Sequence, residues 1–470
     1  MTRAEDAQQL LAYAARAGNA VSASHRLALN LLADDDGLAA FDLGTAVVSG
    51  NLARVRQLLA EDPDSASRPL GDKAWVPLLH ACFSRLTDGC DTLAIVEALL
   101  RSGADPNASF VDEHKCVVTA ITALMAAGEM GPHIWPPHPH GVAIAELLLV
   151  AGADPNQSQG LYNTMFQSSD QWLQLFLKHG LTAEHWPTYD SEHMTQVLDF
   201  QLAWAIANGR LERAKLLLEH SANSNSTDHY DGQCLHVNAQ LVGDRGMVEL
   251  LVKHGATPHS LQGSQLFTAA ILRADREQAK QLIKIHPTYL DDEYPLRQAS
   301  RLGRTASVAL LLELGREPDF ADEPGGPLQI ASWYGHLDLV KILIEHGCDP
   351  AVRHPQRGNT PIGAAQYAGY TEVVDYLAQH THCVLDVIRA GKLERVTQLL
   401  DEDPKRLHQT DKEGDGVLAC LPPDPAIAAP LASLLLSRGA DPKAKNTNGK
   451  TAEDLFLSWG RRDIVKFVAL

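Results

Sequence analysis

The 470-residue chain lacks most features that would announce a function outright. It has no run of about 18 uninterrupted apolar residues, so no membrane span is expected. It has no cluster of lysine and arginine, and 40 basic residues against 58 acidic ones leave a formal charge of −18. Phosphate backbones and anionic lipid surfaces attract basic patches, so neither nucleic acid nor membrane is an expected partner. The seven cysteines are an odd number, scattered, with no C-x-x-C pair. That spacing suits reduced thiols in a cytoplasmic compartment better than a disulfide framework or a zinc site. The start, "MTRAEDAQQLLAYAARAG", has acidic residues where a secretory leader is basic, and no apolar core segment. G-x-S-x-G and H-E-x-x-H are absent. The Gly449-Lys450-Thr451 triplet has Ala444 where a phosphate-binding loop needs glycine. Aromatics are only 6%, whereas apolar residues reach 45% with alanine and leucine prominent, a balance that favours helices with a real core.

What the chain does have is internal repetition. "SGADPNAS" (102–109) returns as "AGADPNQS" (151–158) and "RGADPKAK" (438–445). An apolar helical phrase such as "HLDLVKILIEHG" (336–347) precedes each copy, and a shorter helix such as "PLQIASWYG" (327–335) precedes that. The next copy, "PIGAAQYAG" (361–369), follows 34 residues later. Each unit therefore opens with Thr or Gly before Pro, where a hydroxyl caps the helix and Pro loses no needed N–H. Small alanines allow close packing, and glycines such as Gly335, Gly369 and Gly391 end the first helix with positive φ. A longer Leu/Val helix ends at a second glycine (Gly103, Gly152, Gly255, Gly347, Gly439), and an Asp-Pro or Asn phrase turns the chain outward.

One such unit cannot bury its own apolar faces, so units must stack. The pattern resembles the ankyrin repeat family in Thr360-Pro361-Ile362, in Gly335-His336, and in "GADPN" at 103–107 and 152–156. The resemblance covers nearly the whole chain from about residue 40. It implies an all-α solenoid of about 13 helix pairs, with first helices starting near 44, 77, 123, 162, 202, 234, 266, 295, 327, 361, 384, 417 and 452. Residues 1–40 are expected to be a helical capping segment, residues 41–380 the main array, and residues 381–470 further repeats. "VVSGNLARVRQLLAEDPDSAS" (47–67) and "VIRAGKLERVTQLLDEDPKRLH" (387–408) are near-copies, and the second follows a shortened step. A stacking break near residue 380 is therefore expected.

Two stretches exceed the repeat ruler between their helices, "RLTDGCD" (85–91) and "EMGPHIWPPHPHG" (129–141). The second holds His133, His138 and His140, and His138-x-His140 brings two imidazoles within reach on an extended chain. No Asp, Glu or Cys recurs at ligand spacing, and the four prolines account for a stiff loop, so no metal or cofactor is expected. Neighbouring Cys and His pairs (His80/Cys82, His114/Cys116, Cys234/His236, His382/Cys383) have the composition of a nucleophile and its base. The family resemblance instead implies that His80 and His236 bridge hairpins, and small cysteines pack as apolar residues.

The resemblance further implies a protein partner in a concave groove. The residues before each first-helix glycine would face it: Arg301, Trp333, Tyr334, Tyr367 and Trp459, with Tyr230, Gln356, Arg357 and Asn359 on the hairpins. Aromatics and Arg are enriched at interaction hot spots. Two other readings stay open: an enzyme using the histidines of the groove or insertions, and an acidic inhibitor or immunity-type partner of a basic protein.

Overall fold

A computed structural model describes residues 2–14, 21–86, 90–111, 117–125, 138–156, 158–165, 169–182, 197–228, 232–319, 326–354, 358–459 and 461–469. It is mostly helical and divides into two compact units, residues 1–239 with 244–259, and residues 240–243 with 260–470.

In the first unit, α1 (Arg3–Ala14) and α2 (Val21–Asp34) pair and bury Leu10 and Leu11 against Leu38 and Val48. Helix pairs follow: α3 (Leu43–Val48) with α4 (Leu52–Glu61), α5 (Pro77–Phe83) with α6 (Cys90–Arg101), and α7 (Ala120–Leu124) with α8 (Gly141–Val150). Then come α9 (Ser158–Thr164) with α10 (Gln171–Lys178), α11 (Val197–Ala207) with α12 (Leu211–Glu219), and α13 (Leu235–Val242) with α14 (Arg245–Lys253). First helices pack on first helices (α3 on α5, α5 on α7) and second on second (α4 on α6, α6 on α8). The shared core runs from Leu43 through Phe83, Ile95, Leu148, Phe176 and Ile206 to Leu251. Each pair thus supplies the apolar cover its neighbour lacks.

The second unit continues the plan with α15 (Ser264–Leu272) and α16 (Arg276–Ile285), α17 (Tyr294–Arg301) and α18 (Thr305–Glu313), and α19 (Pro327–Trp333) and α20 (Leu337–Glu345). Next are α21 (Pro361–Ala368) with α22 (Thr371–His380), and α23 (Val384–Arg389) with α24 (Leu393–Glu402). The chain closes with α25 (Pro425–Ser437), α26 (Ala452–Ser458) and α27 (Arg462–Val465).

Local chemistry sets these boundaries. Thr360 caps α21 by accepting the Gly363 N–H at 3.3 Å, with Pro361 in the first turn. Gly335 and Gly369 have φ of 74° and 81°. The "GADPN" asparagine is a link between hairpins: Asn107 Nδ2 donates to Gly152 O (3.1 Å), and its Oδ1 accepts the Asp154 N–H (2.8 Å). Asn225 does the same with Gly255 O and the Thr257 N–H, both at 2.8 Å.

Three features depart from the expected pattern. The helix start placed near 202 lies inside α11, which is already helical at Val197. The start near 417 is a 3-10 turn, Val417–Cys420, and not an α-helix. Leu421 is extended there (ψ 136°) because Pro422 excludes the α conformation from the residue before it. The outward turn after α6 is a true β-hairpin, β1 (Ser109–Val111) paired antiparallel with β2 (Val117–Thr119). Phe110 anchors it by stacking on Trp75 at 4.5 Å. Among the described residues, no helix is long and apolar enough to cross a membrane.

Candidate functional site

The ends of the first helices in the second unit gather the aromatic and basic residues singled out above. Trp333, at the end of α19, and Tyr367, near the end of α21, stack at 5.1 Å with an interplanar angle of 20°. Both are half-buried. Adjacent first helices hold equivalent positions in register, which is why residues 34 apart meet face to face. Tyr334 stacks instead on His336 (10° between planes), and burial pushes its phenol pKa up while the nearby Arg301 guanidinium pulls it down. His336 Nε2–H donates to Arg301 O at 2.9 Å. Arg301, Tyr334 and His336 thus form one group, beside the Trp333–Tyr367 stack.

The glycines permit this closeness. A side chain at Gly303 would come within 2.7 Å of the His336 ring, and one at Gly335 would run into the ring of Tyr370. His336 and Tyr370, each directly after a helix-ending glycine, complete this surface although neither was expected on it; their shared place after Gly335 and Gly369 is the signal in the sequence.

The other expected surface residues are placed differently. Trp459, 46% exposed, packs edge-on to Phe456, with the Arg461 guanidinium 5.9 Å from its ring. Asn359 holds its hairpin, its carbonyl accepting from the His354 N–H (2.8 Å) and from Gln329 Nε2 (2.6 Å). Tyr230, Gln356 and Arg357 lie outside the described residues, as does His133.

His138 and His140 border a cleft of about 620 Å³ in the first unit. Their ring centroids are 6.4 Å apart, and His138 Nδ1 accepts the His140 N–H at 3.1 Å. Burial, with Arg85 and His140 nearby, pushes the His138 imidazole pKa down to about 3. Arg85, the first residue of "RLTDGCD", bonds the closing carbonyls of α5 (Cys82 O, 2.7 Å) and Ala123 O of α7 (2.8 Å). It satisfies acceptors that a helix end leaves open. No group of three or more His, Cys, Asp or Glu is placed to hold a metal ion among the described residues.

The Cys–His neighbours have their own roles. His80 Nε2 lies 3.3 Å from Leu70 O, and burial pushes its pKa down to about 4. Cys82 is fully buried and its thiol is pushed up to about 12, opposite to the shift that activates a nucleophile. His236 Nδ1 accepts the His259 N–H at 3.2 Å, a bond to the next hairpin.

Comparison with known proteins places the repeats. Three overlapping copies of the family described as Ankyrin repeats match at residues 266–354, 296–388 and 328–420. The chain is similar to the ankyrin repeat protein nuc-2 of Neurospora crassa, 32% identical over 152 residues, covering 30% of this chain and 14% of that one. An ankyrin repeat-containing protein of Schizosaccharomyces pombe is 46% identical over 61 residues, 13% of this chain and 29% of that one. Cyclin-dependent kinase 4 inhibitor B of Rattus norvegicus is 25% identical over 146 residues, 31% of this chain and 91% of that one. The chain therefore spans only a minor part of the first two relatives.

Proposed function

Because the chain belongs to the ankyrin repeat proteins and is a protein-interaction module, we propose that a protein partner docks on the second unit against Trp333, Tyr367, Tyr334 and Arg301. The Trp333–Tyr367 stack carries this reading. Two large rings fix each other's rotamers yet keep part of their faces open, so little side-chain entropy is lost when a partner covers them. Arg301 adds a cation beside them, and such aromatic–Arg groupings dominate binding energy at interfaces. Trp459, just after α26 and beside Arg461, is a separate anchor. The net charge of −18 favours a basic partner segment in a reducing cytoplasm, with an association rate that falls as salt rises.

The test is a Trp333→Ala/Tyr367→Ala double variant measured against the partner recovered with the wild-type protein. Tyr334 is left intact because its ring also packs on His336. We expect at least tenfold weaker binding with an unchanged circular dichroism spectrum. Wild-type affinity in a folded double variant would overturn the assignment.

A further inference from the structure

An asparagine followed by glycine is open to intramolecular attack, because glycine has no side chain to screen its amide nitrogen from the preceding carboxamide. The chain holds two such pairs, Asn208-Gly209 and Asn448-Gly449. Both glycines have positive φ, 64° and 72°, and nothing lies within 4 Å of a side chain built at either. By sequence and by local backbone the two pairs are alike. Their surroundings separate them.

Asn208 directly follows α11 and is half-buried. Its backbone N–H donates to Trp204 O at 3.0 Å, and its Nδ2 donates to the same oxygen at 2.8 Å. The N–H groups of Gly209 and Arg210 close the helix end on Ile206 O (3.1 Å) and Ala205 O (2.8 Å). Carrying the Asn208 carboxamide to the Gly209 nitrogen would take apart the last turn of a helix that buries Ala205, Ile206 and Ala207.

Asn448 stands exposed at the tip of the hairpin before α26. Asn446 organises that tip. Its N–H donates to Lys450 O (2.9 Å), and its Oδ1 accepts the N–H groups of Asn448 (3.0 Å) and Lys450 (2.9 Å). The Asn448 carboxamide has no hydrogen-bond partner among the described residues. A single bond, to Asn446 O at 2.9 Å, holds the Gly449 N–H, and an exposed loop tip opens at low cost. The same hairpin is tied to the one before it. Thr447 donates to Glu413 O from its N–H (3.0 Å) and its Oγ1 (2.6 Å), and Asn446 Nδ2 donates to Asp415 Oδ1 at 2.7 Å.

We propose that Asn448 is a site of spontaneous deamidation, and that its conversion loosens the link between the last two hairpins. The Gly449 nitrogen gives up its proton and attacks Asn448 Cγ. The new N–Cγ bond forms as Cγ–Nδ2 breaks, and the Nδ2 group takes up a proton and leaves as ammonia. Water then opens the cyclic imide at either carbonyl, leaving aspartate or isoaspartate. Both products add a negative charge at the tip. Isoaspartate also lengthens the main chain by a methylene, so the tip no longer matches the bonds to Glu413 and Asp415. The modification is independent of the aromatic surface proposed for a partner.

The test incubates the folded full chain in warm, mildly alkaline buffer, with peptide-mapping mass spectrometry and enzymatic methylation of isoaspartate as readouts. We expect Asn448 to convert at least tenfold faster than Asn208, with ammonia released in step. Amide exchange at Thr447 should quicken in the converted protein. In concentrated urea the two pairs should convert at similar rates, because the surroundings that separate them are gone. Asn448→Gln, whose longer side chain closes the imide ring far more slowly, should lose the product and keep the Thr447 exchange of fresh protein. An unchanged Asn448, equal rates at both sites in the folded chain, or a tenfold gap that persists in urea would overturn the site assignment. Unaltered Thr447 exchange in converted protein would overturn the loosened link.

Discussion

Gly335 and Gly369 have the same role in the repeat and nearly the same backbone, with φ of 74° and 81°. Their surroundings differ. The Tyr370 ring lies over Gly335, while nothing comes within 4 Å of a side chain built at Gly369. Gly369→Ala should therefore cost only the left-handed strain of about 1–2 kcal/mol. Gly335→Ala adds a steric conflict that displaces Tyr370, so it should cost clearly more. Urea unfolding of the two variants checks this, and equal losses would show that Tyr370 moves aside freely. The positive φ was legible in the repeated glycines. The ring above one of them was not, because it comes from the next repeat.

At the scale of elements, α5 and the hairpin before it are joined by a histidine that must stay neutral. His80 Nε2–H donates to Leu70 O beside the Leu70–Trp75 bridge, and burial lowers its pKa to about 4 against about 6.5 unfolded. Because the native pKa is the lower one, the unfolded chain binds protons first on acidification. The stabilisation is complete above pH 6.5 and is lost as pH falls from there toward about 4. His138, with its pKa lowered to about 3, acts in the same direction. The urea midpoint of the wild type should therefore drop more between pH 7 and 4.5 than that of His80→Gln, which keeps a donor but does not titrate. Parallel pH profiles would refute this. Sequence spacing placed His80 on a first helix. Its bond to its own hairpin, rather than to a neighbour's, depends on how deeply the helix end is buried.

For the molecule as a whole, the shortened step between α21 and α23 remains the strongest sign of a break in the stack. We propose that α23–α27 open as a separate cooperative group. Buried residues from Val384 to Val468 share one apolar cluster. The named contacts across the step are polar, from Gln366 Nε2 to Arg389 O (3.1 Å) and from Lys392 to Asp375. Gly369 lacks the cover that Gly303 and Gly335 receive. Native-state hydrogen exchange should give residues 384–468 an opening free energy distinct from that of residues 327–378. One common value for both segments would sink the proposal.

The sequence by itself determined the ankyrin architecture. Caps, prolines, glycines and apolar spacing act within a few residues, and their 34-residue recurrence from Pro327 to Pro361 leaves stacking as the way to bury the apolar faces. It also placed Trp333, Tyr334, Tyr367 and Arg301 together, since equivalent positions of stacked units become neighbours. Only the tertiary structure decided that Tyr334, next to the Trp333–Tyr367 stack, turns onto His336. Only it showed that Arg85 closes two helix ends, and that the starts of α8 and α10 share a cleft with His138. These contacts depend on side-chain direction and on irregular segments between repeats, which no periodic pattern encodes.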